Sequence, residues 1–179
     1  ASNPGPREAL LIANALCKAA EEGGTLAGLP EFCAELFSHV RIAEPSVMFQ
    51  LPEGRRGIFV GGGATMRVGR IIGHDRMREM MLTGRKYGSD KGLALGQAHY
   101  SVGEGEGMAL AEKLANKVAN NAPVSNYLMM QAIRRIQEMP HEEGLFTESL
   151  AASLIQSTDG AQEGLRAFLE KRPPVFRKR

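Results

Sequence analysis

Tryptophan is absent from this sequence, and cysteine and aromatic residues are scarce. The two cysteines, Cys17 and Cys33, lack the short spacing of a zinc-binding pair and are too few for a disulfide framework. We therefore expect reduced thiols and a cytoplasmic location. With aromatic residues at 6% of the chain, little material exists for stacking against nucleic-acid bases.

Charge of one sign and long apolar runs are also missing. The 22 basic and 20 acidic residues leave a net charge of only +2, and the basic residues 177–179 are a local feature. No apolar run approaches the roughly 20 residues that cross a bilayer. We expect neither a nucleic-acid partner nor a membrane partner. A chain of 179 residues is one domain, or one domain with a helical appendage.

The chemistry-bearing stretch is residues 48–73, MFQLPEGRRGIFVGGGATMRVGRIIG. Glu53 follows a proline, and the apolar residues 58–60 lead into three glycines at 61–63. A helical pattern follows, with Met66, Ile71 and Ile72 as its apolar positions. Glycines let a ligand touch backbone amides, and a helix N-terminus favours negative charge. An acid beside such a turn suits carbonyl chemistry, in which a proton moves while an anion is stabilised.

Two simpler interpretations of this stretch stay open on these residues alone. Glu53 could be an ordinary surface glutamate on a strand–turn–helix unit, since most charged residues are solvated. The glycines could belong to a nucleotide-binding loop, but the further glycine and the lysine or acidic partner of such motifs are missing.

Residues 48–73, the segment VRIAEPS before them and the segment MMLTGRKYGSDKGLALGQAHYSV after them resemble the crotonase family, the enoyl-CoA hydratases and isomerases. The resemblance runs from about Val40 to the C-terminus. It implies an α/β fold, a crotonase-like spiral of strand–strand–helix turns in residues 1–107. Residues 108–179 would then be a C-terminal helical oligomerisation region, and the protein a homotrimer or hexamer.

The resemblance also implies a reaction on an acyl-CoA thioester. In the family, two backbone N–H groups bind the thioester oxygen and stabilise an enolate, while glutamates move protons. Glu53 matches the second of two family glutamates, and Ala34 is the best match for the first amide donor. Hydratases use both acids, whereas isomerases can manage with the equivalent of Glu53 alone. Phe49, Leu51 and residues 58–60 should partly bury this site.

Coenzyme A is part of the substrate in this family, so no separate cofactor and no metal is expected. The segment NPGPREAL is similar to the loop over the adenine end of coenzyme A, and a neighbouring subunit would supply cations for the phosphates. The residues assigned to coenzyme A binding are Arg7, Ala9, Gly61, Gly62, Lys171 and Arg172. His141, Glu142 and Glu143 form no metal site, because no second ligand cluster accompanies them.

One segment of the family pattern is missing between Leu36 and Ser38. In the family, a helix, a strand and a glycine-rich turn with the first glutamate separate LAGLPEFCAEL from a segment like SHVRIAEPS. The first glutamate and the second oxyanion-hole glycine therefore have no counterpart, and Glu35 occupies a usual glycine position. Two functions stay open: an enoyl-CoA hydratase or isomerase, and a non-catalytic acyl-CoA-binding or scaffold member of the family.

Periodicity and turn residues predict the remaining elements. A methionine stripe at residues 77, 80 and 81 is assigned to the core, as thioethers fill irregular gaps. His99 and Tyr100 are predicted to be satisfied core residues, and Ser89 and Thr147 are predicted helix N-caps. Strands are expected at 25–29, 40–43 and 98–102. Helices are expected at 9–22, 74–82, 90–95, 108–121, 124–139, 146–155 and 161–171.

Overall fold

The computed structural model describes residues 39–61 and 63–176. The chain divides between Lys113 and Leu114 into two compact units, and each is described by itself. The elements of the first unit, in chain order, are β1 (Ile42–Ala43), β2 (Phe49–Gln50), α1 (Glu53–Arg56), α2 (Ala64–Ile72), α3 (His74–Thr83), β3 (Lys86–Tyr87), α4 (Ser89–Ala94), β4 (Tyr100–Ser101) and the start of α5 (Gly107–Ala119). The predicted elements at 9–22 and 25–29 lie outside the described residues.

Two short sheets connect distant parts of the first unit. Strand β1 pairs with β4 in parallel, and β2 pairs with β3 in antiparallel orientation. The strands predicted at 40–43 and 98–102 exist but are only two residues long each. The first unit is thus a mixed, helix-rich α/β structure, whereas the predicted spiral of repeated turns stays a prediction.

The core of the first unit is built around helix α2. Gly63 precedes this helix with a φ of 78°, a conformation that glycine adopts without steric cost. The fully or largely buried members of the core are Leu51, Val60, Ala64, Val68, Ile72, Met77, Met80 and Tyr87. The prediction that the methionine stripe belongs to the core is confirmed, with Met81 partly buried against the cluster.

The apolar face of α2 differs from the predicted one. Ala64, Val68 and Ile72 repeat every four residues and are at most 4% exposed, whereas Met66 is 57% exposed. Met66 lies two residues from Val68, which is about 200° around the helix, so it points away from the core. Met66 is thus an apolar position of α2 that lies outside its buried face, because an apolar residue at the wrong phase cannot reach the core.

A carboxylate anchors the beginning of helix α5. The side chain of Glu44 accepts hydrogen bonds from the backbone N–H groups of Gly107, at 2.7 Å, and Gly105, at 3.1 Å. The first N–H groups of a helix lack partners inside the helix and favour a nearby negative charge. Glu44 thereby ties the end of β1 to the start of α5 across more than 60 residues of sequence.

The second unit contains α6 (Pro123–Gln137), α7 (His141–Gln156) and α8 (Asp159–Leu169). Thr158 caps α8 by accepting a hydrogen bond from the N–H of Ala161. Thr147 was wrongly predicted as a cap: α7 begins at His141, and Thr147 lies inside it with its hydroxyl 3.4 Å from Met139 Sδ. The predicted division into a core to 107 and a helical region from 108 stays a prediction.

Helix α4 begins without the predicted cap from Ser89. Ser89 is the first residue of α4 rather than its cap, because the extended residue Gly88 precedes the helix. Within residues 39–61 and 63–176, no helix combines the length and apolar character needed to cross a bilayer.

Candidate active site

Glu53 is the first residue of helix α1, directly after the N-cap residue Pro52. Its neighbour Leu51 is 1% exposed and belongs to the core, so the backbone that carries Glu53 is fixed from one side. The carboxylate is partly buried, and its Oε2 is shielded from solvent with no hydrogen-bond partner among the described residues. Because buried polar atoms are nearly always paired, the unpaired Oε2 needs an explanation, and a bound ligand group would supply its missing partner.

Helix α1 is held against α3 by a close backbone contact at Gly54. A Cβ atom at Gly54 would lie 2.6 Å from the carbonyl oxygen of Met81 and 3.6 Å from Cα of Leu82. Real Cβ atoms do not approach a backbone oxygen so closely, so only glycine fits there. This contact fixes the second side of α1, and with it the position of Glu53.

The end of α1 overturns one prediction about this site. Gly57, with a φ of 68°, closes the helix, and the N–H of Ile58 donates to the carbonyl oxygen of Glu53 at 3.1 Å. This capping arrangement occupies the backbone of Ile58 and turns the chain outward. Ile58 is 56% and Phe59 is 78% exposed, so they do not bury the site as predicted, and only Val60, at 9%, is buried.

The glycines before α2 present an open stretch of backbone. Gly61 is exposed, and no heavy atom lies within 4 Å of the place where its Cβ would be. A ligand could therefore approach its backbone closely, as the assignment of Gly61 to coenzyme A binding requires. Gly62 lies outside the described residues. The assignments of both glycines stay predictions.

Several predicted site residues lie outside the described residues, namely Arg7, Ala9, Ala34 and the junction between Leu36 and Ser38. In the second unit, Lys171 is exposed and follows helix α8. Arg172 forms ion pairs with Glu163 and Glu170, each with a shortest distance of 2.6 Å. Its assignment to coenzyme A phosphates stays a prediction, and in this structure its guanidinium is directed to carboxylates.

The pair His99 and Tyr100 was expected in the core, but both residues are exposed. The backbone N–H of Arg41 donates to Nδ1 of His99 at 2.9 Å, so Nδ1 must be unprotonated there. Although the residue as a whole is exposed, its ring is partly desolvated, and this desolvation, together with the charge of Arg41, lowers the pKa of His99. The hydrogen bond joins the residues directly before β1 and β4, and nothing in the local sequence predicts this pairing.

Sequence reasoning also missed Glu44 and Gln97. Glu44 caps α5, and Gln97 is 9% exposed with its side-chain oxygen unpaired among the described residues. The only signal for Glu44 in the sequence was an acid directly before Pro45. Its partner Gly105, in the glycine-rich segment before α5, lies 61 residues later. In the part of the chain that the structure describes, no cluster of His, Cys, Asp and Glu residues could hold a metal ion.

Comparison with known proteins places these features in a family. The sequence model of the family described as enoyl-CoA hydratase/isomerase matches residues 19–179. The short-chain-enoyl-CoA hydratase of Clostridium acetobutylicum is 34% identical over 133 residues, which are 74% of this chain and 51% of that protein. The enoyl-CoA hydratase EchA19 of Mycobacterium tuberculosis is 30% identical over 179 residues, which are 98% of this chain and 66% of that protein.

The fold agrees with solved structures of similar proteins. A crystal structure of an enoyl-CoA hydratase from Bacillus anthracis superposes with a TM-score of 0.75 at 31% identity, over 80% of this chain and 55% of that one. The chain spans about half to two thirds of the length of the curated relatives that it matches. By the extent of the family match and the agreement of the fold, the chain belongs to the enoyl-CoA hydratase/isomerase family, the crotonase family.

Proposed function

We propose that the protein acts on an enoyl-CoA thioester, with Glu53 transferring a proton to or from the acyl chain. The observation that carries this proposal is the unpaired, buried Oε2 of Glu53 on a backbone fixed from two sides. A group that exchanges protons with a substrate must be held in place yet keep one atom free of protein donors. Relatives named enoyl-CoA hydratases support the substrate class.

The chemistry follows from the properties of the thioester. Addition of water across the double bond, or its migration, passes through an enolate whose negative charge lies on the thioester oxygen. Two backbone N–H groups would stabilise that charge, with Ala34 as the first predicted donor. In hydration, the oxygen of water adds to the β carbon, Glu53 in its acid form delivers a proton to the α carbon, and the proton that the water loses restores the acid. In isomerisation, Glu53 removes a proton from one carbon and returns it to another. We place hydration first on the condition that the working protein contains the segment with the first glutamate, and isomerisation, for which one acid suffices, second.

Replacing Glu53 with glutamine tests the proposal. The amide keeps the size of the carboxylate but cannot exchange the proton, so turnover of a 2-enoyl-CoA should fall by about 100-fold or more while KM changes little. Glu79→Gln is the matched control, since Glu79 lies on α3 and bonds to Arg85 and Tyr87. Wild-type turnover by Glu53→Gln would remove Glu53 from the mechanism. An unfolded Glu53→Gln protein would instead assign Glu53 a structural role.

A second function, non-catalytic binding of acyl-CoA, is favoured by the extent of the match to relatives. The alignment with EchA19 uses 98% of this chain but only 66% of that protein, so about a third of that relative lies outside the match. The position of the gap between Leu36 and Ser38 stays a prediction. Intact mass of the purified protein decides whether residues are missing there. Binding of acyl-CoA without any turnover in the protein of this mass would establish the second function.

We further propose that the protein assembles as a homotrimer or a dimer of trimers through its second unit. The helices α7 and α8 leave large apolar side chains exposed, and such surfaces usually mark interfaces. The most exposed ones are Phe146, Leu150, Leu154, Leu165, Phe168 and Leu169. Sedimentation of a stable monomer at micromolar concentration would contradict this assembly. In the same proposal, Arg7 and Lys171 bind the phosphates of coenzyme A.

A further inference from the structure

The end of helix α8 carries a conformation that normally belongs to glycine. Lys171 has a φ of 52°, and no other residue except glycine has a positive φ in the part of the chain that the structure describes. Its N–H donates to the carbonyl of Phe168, and the N–H of Arg172 donates to that of Ala167. This is the common helix-ending motif in which glycine is preferred at the position of Lys171. The strain of a side chain there needs a compensating interaction.

The residues after Lys171 are fastened to α8 by Glu163. Its carboxylate accepts two hydrogen bonds from Arg172, at 2.6 and 3.0 Å, and one from the backbone N–H of Val175, at 2.9 Å. The ring of Phe176 lies 3.7 Å from the place where Cβ of Gly164, the residue after Glu163, would be. Polar and apolar contacts therefore fix residues 172–176 to the surface of α8.

The electrostatics of Glu163 keep this attachment in place near neutral pH. Hydrogen bonds from the Arg172 side chain and the Val175 backbone lower the pKa of Glu163 to about 2. The side chain of Glu163 is only 20% exposed, and a bidentate pair between arginine and a carboxylate is among the stronger ion pairs in proteins. Glu170 also accepts a hydrogen bond from Arg172, at 2.6 Å, whereas the backbone N–H of Val175 donates to Glu163.

We propose that Glu163 is a positioning residue for coenzyme A binding, which acts by holding residues 172–176 so that Lys171 presents its ammonium group to the phosphates of the ligand. The inference rests on the proposed function. Arg172 then serves as the link between Glu163 and the chain rather than as a phosphate ligand. Lysine at this position carries a charge that glycine, which the backbone conformation favours, would lack.

A double-mutant cycle on the full chain tests this coupling, with coenzyme A as the ligand and affinity read by calorimetry. Lys171→Gln should weaken binding about fivefold in the wild-type background, a typical effect for one exposed charge. In the Glu163→Gln background the same change should weaken binding less than about twofold, because Lys171 is no longer held in position. Glu170→Gln is the matched control, and in that background the fivefold effect should persist.

The outcomes separate this inference from the proposed function. An equal effect of Lys171→Gln in the wild-type and Glu163→Gln backgrounds overturns the positioning role while coenzyme A binding stands. Absence of coenzyme A binding by the wild-type protein overturns both. Lys171→Gly covers the case that Glu163→Gln fails to fold. It should raise Tm by about 2–4 °C by relieving the strained backbone, yet weaken binding, and unchanged affinity in this variant would refute the inference.

Discussion

Gly54 offers the sharpest test of how the fold positions the candidate catalytic residue. Replacing Gly54 with alanine adds one methyl group to α1, next to Glu53. In a free helix this change would stabilise by about 1 kcal/mol, because alanine is the better helix former. In this protein the new Cβ would lie 2.6 Å from the carbonyl oxygen of Met81. The carbonyl oxygen is a backbone atom and the new Cβ is bonded to the backbone, so neither can swing away as the end of a long side chain would.

The size of the effect follows from the distances. Ordinary van der Waals contact begins at 3.4 Å, so α1 and α3 must separate by about 0.8 Å. Overpacking of this kind costs about 1–3 kcal/mol, which equals or exceeds the gain of about 1 kcal/mol in helix propensity. We expect the free energy of unfolding to fall by up to about 2 kcal/mol. A misplacement of a catalytic group near 1 Å costs about 100-fold, so turnover should fall by up to that factor.

Two other glycines provide matched controls for the clash. Gly61→Ala meets no atom within 4 Å and should change the unfolding free energy by less than about 0.5 kcal/mol. Gly57→Ala also meets no atom, but its φ of 68° should cost about 1–2 kcal/mol from backbone strain alone. Denaturant unfolding measures the stabilities, and hydration of a 2-enoyl-CoA measures turnover. A Gly54→Ala protein with wild-type stability and turnover would refute the reasoning that α3 fixes Glu53.

Two further predictions concern the first unit. Glu44→Gln weakens the charge-assisted cap on α5 and should lower the free energy of unfolding by about 1–2 kcal/mol. Its control is Glu104→Gln at an exposed position, which should leave the free energy of unfolding unchanged. Equal stabilities of the two variants would contradict the cap. The pKa of His99 is lowered from its usual value of 6.5 by burial and then by Arg41, so the fold favours the neutral ring. This contribution to stability is complete above pH 6.5 and declines as the pH falls through that value toward the lowered one. In His99→Asn, the amide oxygen replaces Nδ1 as acceptor, and the loss of stability that titration of His99 causes should be missing when unfolding is measured against pH. An unaltered pH profile of stability would exclude His99 as the source of this loss.

Local patterns predicted the helices well because each pattern is a property of the segment itself. The glycines before Ala64 and the four-residue repeat of apolar side chains determine where α2 begins and which face is buried. The methionines of α3 were assigned to the core on the same basis. The predicted helix at 146–155 began too late, since α7 starts at His141, where acidic residues in the first turn favour the helix N-terminus. Boundaries are decided by such end effects, which periodicity does not contain.

The sequence by itself determined the family, the candidate acid Glu53 and the glycine-rich turn, because residue types at fixed spacing carry that information. Only the tertiary structure decided that Oε2 of Glu53 is buried without a partner and that Ile58 and Phe59 face solvent. The ion pair between Arg172 and Glu163 was likewise decided only by the tertiary structure. Each of these facts depends on contacts between segments that are distant in sequence or on the exact path of a turn. Burial and charge pairing arise when such segments meet, and no single segment specifies them.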